Sequence, residues 1–168
     1  EAHKFLSGEL SMQSVKKWKY HCAWIGPQII SAVSRKLMKG APDLKDKKVQ
    51  KLLIDALSPT LETVHLAEKM LDKINPQTMI LIEANYTLMG ALTDTAISKG
   101  VNVIQTVQPS RDDAMIFKRL TSETRRIHPA SVDKSSMEII SKMPWSNQQE
   151  EELMLEFSNR YGGKWFLQ

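Results

Sequence analysis

A chain of 168 residues with 42% apolar composition is long enough to bury the core of one domain, and its seven Gly and seven Pro exclude collagenous or low-complexity sequence. Its longest clean apolar run, Met79-Ile80-Leu81-Ile82, falls far short of the ~20 residues a membrane helix needs. A single cysteine, Cys22, excludes an internal disulfide, while a net charge of +4 permits an anionic ligand but is weak for a dedicated nucleic-acid binder.

Residues 1–26 read as an irregular or truncated lead-in in which Lys16, Lys17, Trp18, Lys19 and Tyr20 mix charge with aromatics. Gly26-Pro27 starts a helix, since proline at the first helical position loses no needed N–H. Its apolar stripe is Ile29, Ile30, Val33 and Leu37, and Gly40-Ala41-Pro42 ends it. Leu52, Leu53, Ala56 and Leu57 mark a second helix, interrupted at Ser58-Pro59. Leu61, Val64, Leu71 and Ile74 carry the stripe along a third, up to Asn75-Pro76.

The period then changes. The run at 79–83 has the continuous apolar character of a strand buried on both faces. Leu88, Leu92, Ala96 and Ile97 form a helical stripe closed by Lys99-Gly100, and Val101, Val103, Ile104 and Val107 make a second strand over 101–107. Strand, helix and strand with short connections predict a right-handed βαβ crossover with parallel strands. Beyond it, 113–120 and 135–143 read as short helices, and Pro144-Trp145-Ser146 caps a last helix over 147–161. The fold class is therefore α/β: a partial Rossmann-like parallel sheet over 27–143, followed by a helical segment, 144–168. Two strands are too few for a doubly wound sheet, and the chain starts at Glu1. The expectation is a fragment of a larger two-domain protein.

In parallel α/β sheets, ligands gather at the carboxyl ends of strands, where loops meet helix N-termini. The first strand ends in Glu83, Asn85 and Tyr86, and the second delivers Gln108, Ser110, Arg111, Asp112 and Asp113 to the same edge. Glu83 suits a general base acting on a hydroxyl. Arg111 suits a phosphate or carboxylate held bidentately, and Asn85 and Tyr86 suit hydrogen bonding and stacking on a sugar ring. Asp112 and Asp113 equally suit capping of the next helix, with Arg111 paired to one of them. Gly90 suits close helix–strand packing. His128, following Arg125-Arg126, completes a basic patch for an anionic group. His3, His21 and His65 stand isolated, no His/Asp/Glu spacing argues for a metal, and the Trp and Met residues read as core.

The order Ser110-Arg111-Asp112-Asp113-Ala114, Phe117-Lys118-Arg119, His128-Pro129-Ala130-Ser131 and Met143-Pro144-Trp145, after Lys99-Gly100-Val101-Asn102-Val103-Ile104-Gln105, resembles a known family. It is similar to the amino-terminal part of capsule and surface-polysaccharide biosynthesis proteins of the two-domain, GT-B-like glycosyltransferase type. The resemblance implies that this half contacts a glycan acceptor, while a second Rossmann-like domain binds the nucleotide-sugar donor. It implies transfer of a sugar, or of a polyol phosphate; no cofactor is expected. The expected location is the cytoplasm, with peripheral association at the inner face of the membrane, and no nucleic-acid partner. Two other readings stand beside it. One is a non-catalytic α/β binding domain. The other is a Myb/SANT-like module at the carboxyl end, where Trp145 and Trp165 frame an acidic helix containing Glu150, Glu151 and Glu152.

Overall fold

The computed structural model describes residues 2–8, 10–109, 114–128, 131–132 and 134–162, without the side chains of His3 and Arg160. The chain divides into two compact units, 1–130 and 131–168. The lead-in is part of the first unit. Two short helices, α1 (Ala2–Leu6) and α2 (Met12–Lys16), carry Val15 into the same buried cluster as Tyr20, Ala23 and Ile25. Ser11 and Ser14 bond reciprocally, backbone to side chain, and start α2 as a capping box.

Helix α3 (Ile25–Leu37) buries Ile25, Ile29, Ile30 and Val33 against α4 (Lys47–Ile74), which contributes Val49, Leu53, Leu57, Leu61 and Val64. Each such side chain contributes roughly 1.5–3 kcal/mol by leaving water. The interruption expected at Ser58-Pro59 does not occur: one helix of 28 residues, about 42 Å long, runs through Pro59. The proline lies on the exposed side, so the carbonyl it leaves without an amide partner can be solvated. The buried stripe passes from Leu57 to Leu61 without losing phase. The Thr60 and Thr63 hydroxyls donate to the Ala56 and Pro59 carbonyls at 2.6 and 2.8 Å. Packing on one face outweighs the local breaker.

The βαβ unit is present. Strand β1 (Thr78–Leu81) pairs in parallel with β2 (Asn102–Val107), Leu81 opposite Gln105, and α5 (Thr87–Ser98) connects them. Gly100, at φ +77°, closes α5 as expected of a glycine past the helix end. Two expectations fail here. The segment 113–120 is not a helix: Ile116–Leu120 is a strand, β3, antiparallel to β2 with Val103 opposite Leu120. Nor is β1 buried on both faces. Helices cover the face of Leu81, Val103 and Leu120, where Leu71 and Ala96 complete a second apolar cluster. Ile80, Ile82 and Phe117, on the other face, are 65%, 80% and 66% exposed. The sheet order is β1-β2-β3, mixed and not purely parallel.

The second unit holds α6 (Lys134–Ile140) and α7 (Asn147–Tyr161), the latter over the expected residues. Ser146 and Gln149 form its capping box, and the Trp145 indole N–H donates to Glu150 at 2.7 Å. The reading of Met and Trp as core holds in part: Met12, Trp18 and Met79 pack against the buried clusters, whereas Met38, Met115, Met143, Met154 and Trp145 are exposed. No helix among the described residues is long and apolar enough to cross a membrane.

Candidate functional site: a cationic pocket beside the first strand

The segment leaving β1 turns sharply. Glu83 Oε1 accepts from the Asn85 amide at 2.6 Å, and Tyr86 then takes the N-cap position of α5 with no side-chain cap bond. Asn85 and Tyr86 thus stand at the carboxyl edge of the parallel pair, as the βαβ geometry predicts. The partners that enclose them come from elsewhere. They line a pocket of about 930 Å³ together with Trp24, Gln28, Ser34 and Arg35 of the lead-in and α3, Asp94 of α5, and Arg125, Arg126 and His128 beyond β3.

Asp94 organises this wall. It is buried within α5, and its carboxylate accepts from the Trp24 amide at 2.8 Å, Gln28 Nε2 at 3.0 Å and Arg125 Nε at 2.6 Å. Arg125 also donates to the Ala84 carbonyl and, at 3.4 Å, to Asn85 Oδ1. One ion pair therefore ties α3, α5, the turn after β1 and the segment after β3. Gly90 makes room for it: a Cβ there would meet Gln28 Cδ at 2.7 Å and the Ala84 carbonyl oxygen at 3.0 Å. Its close packing is against the Gln28 side chain and the turn after β1.

The remaining lining combines apolar side chains, Ile30, Met38 and Ile127 among them, with basic ones. Lys16, Arg35, Lys39 and Arg126 face the pocket, whereas the one acid among the described lining residues, Asp94, already faces Arg125. The Arg126 guanidinium and Lys19 Nζ each lie 3.8 Å from the Trp24 ring centre, and the Arg35 guanidinium lies 4.8 Å from that of Tyr86. Contact with the rings holds these cations in place. Two buried polar atoms of the lining, Gln28 Oε1 and Ser34 Oγ, have no hydrogen-bond partner among the described residues. The Gln28 amide is oriented by chemistry, because a carboxylate can only accept and Asp94 must face the NH₂ group. Its carbonyl oxygen therefore awaits a donor. Fixed cations beside an unused acceptor and a hydroxyl suit a ligand bearing both negative charge and hydroxyl groups.

Of the residues singled out in the sequence, Asn85, Tyr86 and His128 line the pocket. Glu83 is half-buried and supports the turn from behind Asn85, and Gln108 is exposed just past β2. Ser110, Arg111, Asp112 and Asp113 lie outside the described residues. Trp24, Gln28, Arg35 and Asp94 went unnoticed. Asp94 carried a legible signal, an acid inside the apolar stretch 91–97, which is costly to bury without a partner. Trp24, read as core, is a platform at the pocket wall.

The fold places the chain among α/β proteins with a small mixed sheet. No family model, curated protein or solved structure matches it.

Proposed function

We propose that the pocket is the acceptor site of a glycosyltransferase for capsular or surface polysaccharide and takes an acidic or phosphorylated glycan. One observation carries the reading: cations without a carboxylate partner in the lining stand beside the unsatisfied Gln28 carbonyl, on walls that include Trp24 and Tyr86. The amide and Ser34 suit hydroxyls, and Arg126 and Arg35, held against the Trp24 and Tyr86 rings, suit the acidic group. In the proposed reaction the acceptor hydroxyl oxygen bonds to the anomeric carbon of a nucleotide-sugar. The carbon–oxygen bond to phosphate breaks, the nucleotide leaves with the bonding pair, and its departing phosphate takes the hydroxyl proton, because Glu83 stands outside the lining and Asp94 is engaged. The donor is held mainly by a second Rossmann-like domain, at the cytoplasmic side of the membrane.

Titration of the chain with acidic, phosphorylated and neutral glycans, followed by the indole and amide NMR signals, tests the acceptor site. Acidic glycans should shift Trp24 and Asn85. Arg126→Ala should weaken binding about tenfold, near 1.4 kcal/mol, without unfolding the chain. Equal affinity of the variant, or no preference for acidic glycans, would overturn the assignment.

A second reading, a glycan-binding module without catalysis, is favoured by one fact: the only acid in the described lining, Asp94, is fully engaged. Arg126→Ala separates the two. In a transferase carrying this chain, turnover of a nucleotide-sugar with an acidic glycan should fall about tenfold, in step with glycan affinity. Glycan binding without turnover in the unsubstituted transferase would leave the binding module.

A further inference from the structure

We infer that the first unit carries a transition-metal site, of the zinc type, made by His21, His65 and Glu68. The sequence presents these histidines as isolated, 44 positions apart. The fold brings their ring centres to 5.1 Å. His65 and Glu68 are one turn apart on α4, and His21 comes from the tight turn 20–23, which is closed by reciprocal backbone bonds between Tyr20 and Ala23 at 2.9 and 3.0 Å. One ligand atom from each side chain lies within 4.8 Å of the others. His21 Nδ1 is 2.8 Å from Glu68 Oε1, and His65 Nδ1 is 3.9 Å from Glu68 Oε2. Ligands around tetrahedral zinc stand about 3.4 Å apart at ordinary bond lengths. Side chains at this accessible surface reach that spacing by small rotations.

Two further features support a ligand role beyond proximity. The other nitrogen of His65, Nε2, is 2.6 Å from the Tyr20 hydroxyl. When that phenol oxygen accepts from Nε2–H, Nδ1 carries the lone pair a metal requires, the arrangement by which outer partners orient metal-binding histidines. The Tyr20 ring also stacks on His21, with centroids 4.4 Å apart, so one side chain positions both imidazoles. His21 itself holds φ at +50°, a left-handed backbone that is unfavourable for a residue with a Cβ. The turn keeps that conformation and aims the ring at α4. Two imidazoles and a carboxylate leave a fourth position for water. The metal would also clamp the lead-in to α4, so its binding would be read as added stability.

Titration with zinc chloride alone, by calorimetry and thermal melting in a non-chelating buffer, tests the site. One equivalent should bind and raise Tm, EDTA should reverse it, and cobalt(II) should give tetrahedral visible absorption. His65→Ala and Glu68→Gln should each lower affinity at least about tenfold, and Tyr20→Phe, a positioning change, by a similar factor while the fold persists. Cys22→Ser should change nothing. Absence of a Tm shift at submillimolar zinc, binding that survives both His65→Ala and Glu68→Gln, or binding lost with Cys22 would overturn the assignment.

Discussion

Asp94→Ala should lower stability by about 4 kcal/mol, a fall in Tm of roughly 10 °C for a chain of this size. The substitution removes one small side chain but leaves three donors behind. The Trp24 amide, the Gln28 amide and the Arg125 guanidinium all converge on that carboxylate. Arg125 has a side chain only 13% exposed, so an uncompensated charge stays partly out of water. Breaking such a pair costs more than the pair contributes, because desolvation of the surviving partner is no longer offset. Asp94→Asn, which keeps one accepting oxygen without the charge, should fall between. The double variant Asp94→Ala/Arg125→Ala should recover part of the loss, since the buried charge is gone. Denaturant unfolding of the three variants measures this. A loss below about 1 kcal/mol for Asp94→Ala would mean that water already shares the site.

The same ion pair shows what the residue pattern could reveal and what it could not. Local signals were sufficient for the βαβ unit: a change of period at 79–82, a helical stripe, then Gly100 where a left-handed residue ends α5. Those signals also place Asn85 and Tyr86 at the carboxyl edge of the parallel pair. They fail where distant segments decide the outcome. Strand β3 looks helical from its acidic lead at Asp112 and Asp113, yet 116–120 takes its conformation from pairing with β2, which supplies partners for its backbone. Pro59 argues for a break, but the stripe on either side is continuous and buried, so the helix persists. The pocket wall depends on contacts that span up to 70 positions, Trp24 to Asp94, and no local window contains both. The His21–His65–Glu68 cluster is hidden in the same way, its two histidines meeting only because the turn 20–23 folds onto α4.

Gly26→Ala should cost about 3 kcal/mol, a large value for adding one methyl group. The position is not special for its backbone angles but for what lies over it. A Cβ built on Gly26 would sit 1.8 Å from the Val15 carbonyl oxygen, 2.9 Å from its carbonyl carbon and 3.1 Å from Trp18 Cβ. The obstacle is main chain, so no rotamer change relieves it, and α2 must move away from α3. That movement would strain the bond from the Gly26 amide to the Trp18 carbonyl, now 3.1 Å, and open the cluster in which Val15, Ile25 and Ile29 are completely buried. Trp24, two residues before Gly26, would shift with it, so under the proposed acceptor reading affinity for acidic glycans should fall together with stability. Urea midpoints and glycan titration on the same preparation check both effects. Stability within about 0.5 kcal/mol of the unmodified chain would show that α2 does not press on α3 at this point, and the lead-in would lose its place in the core.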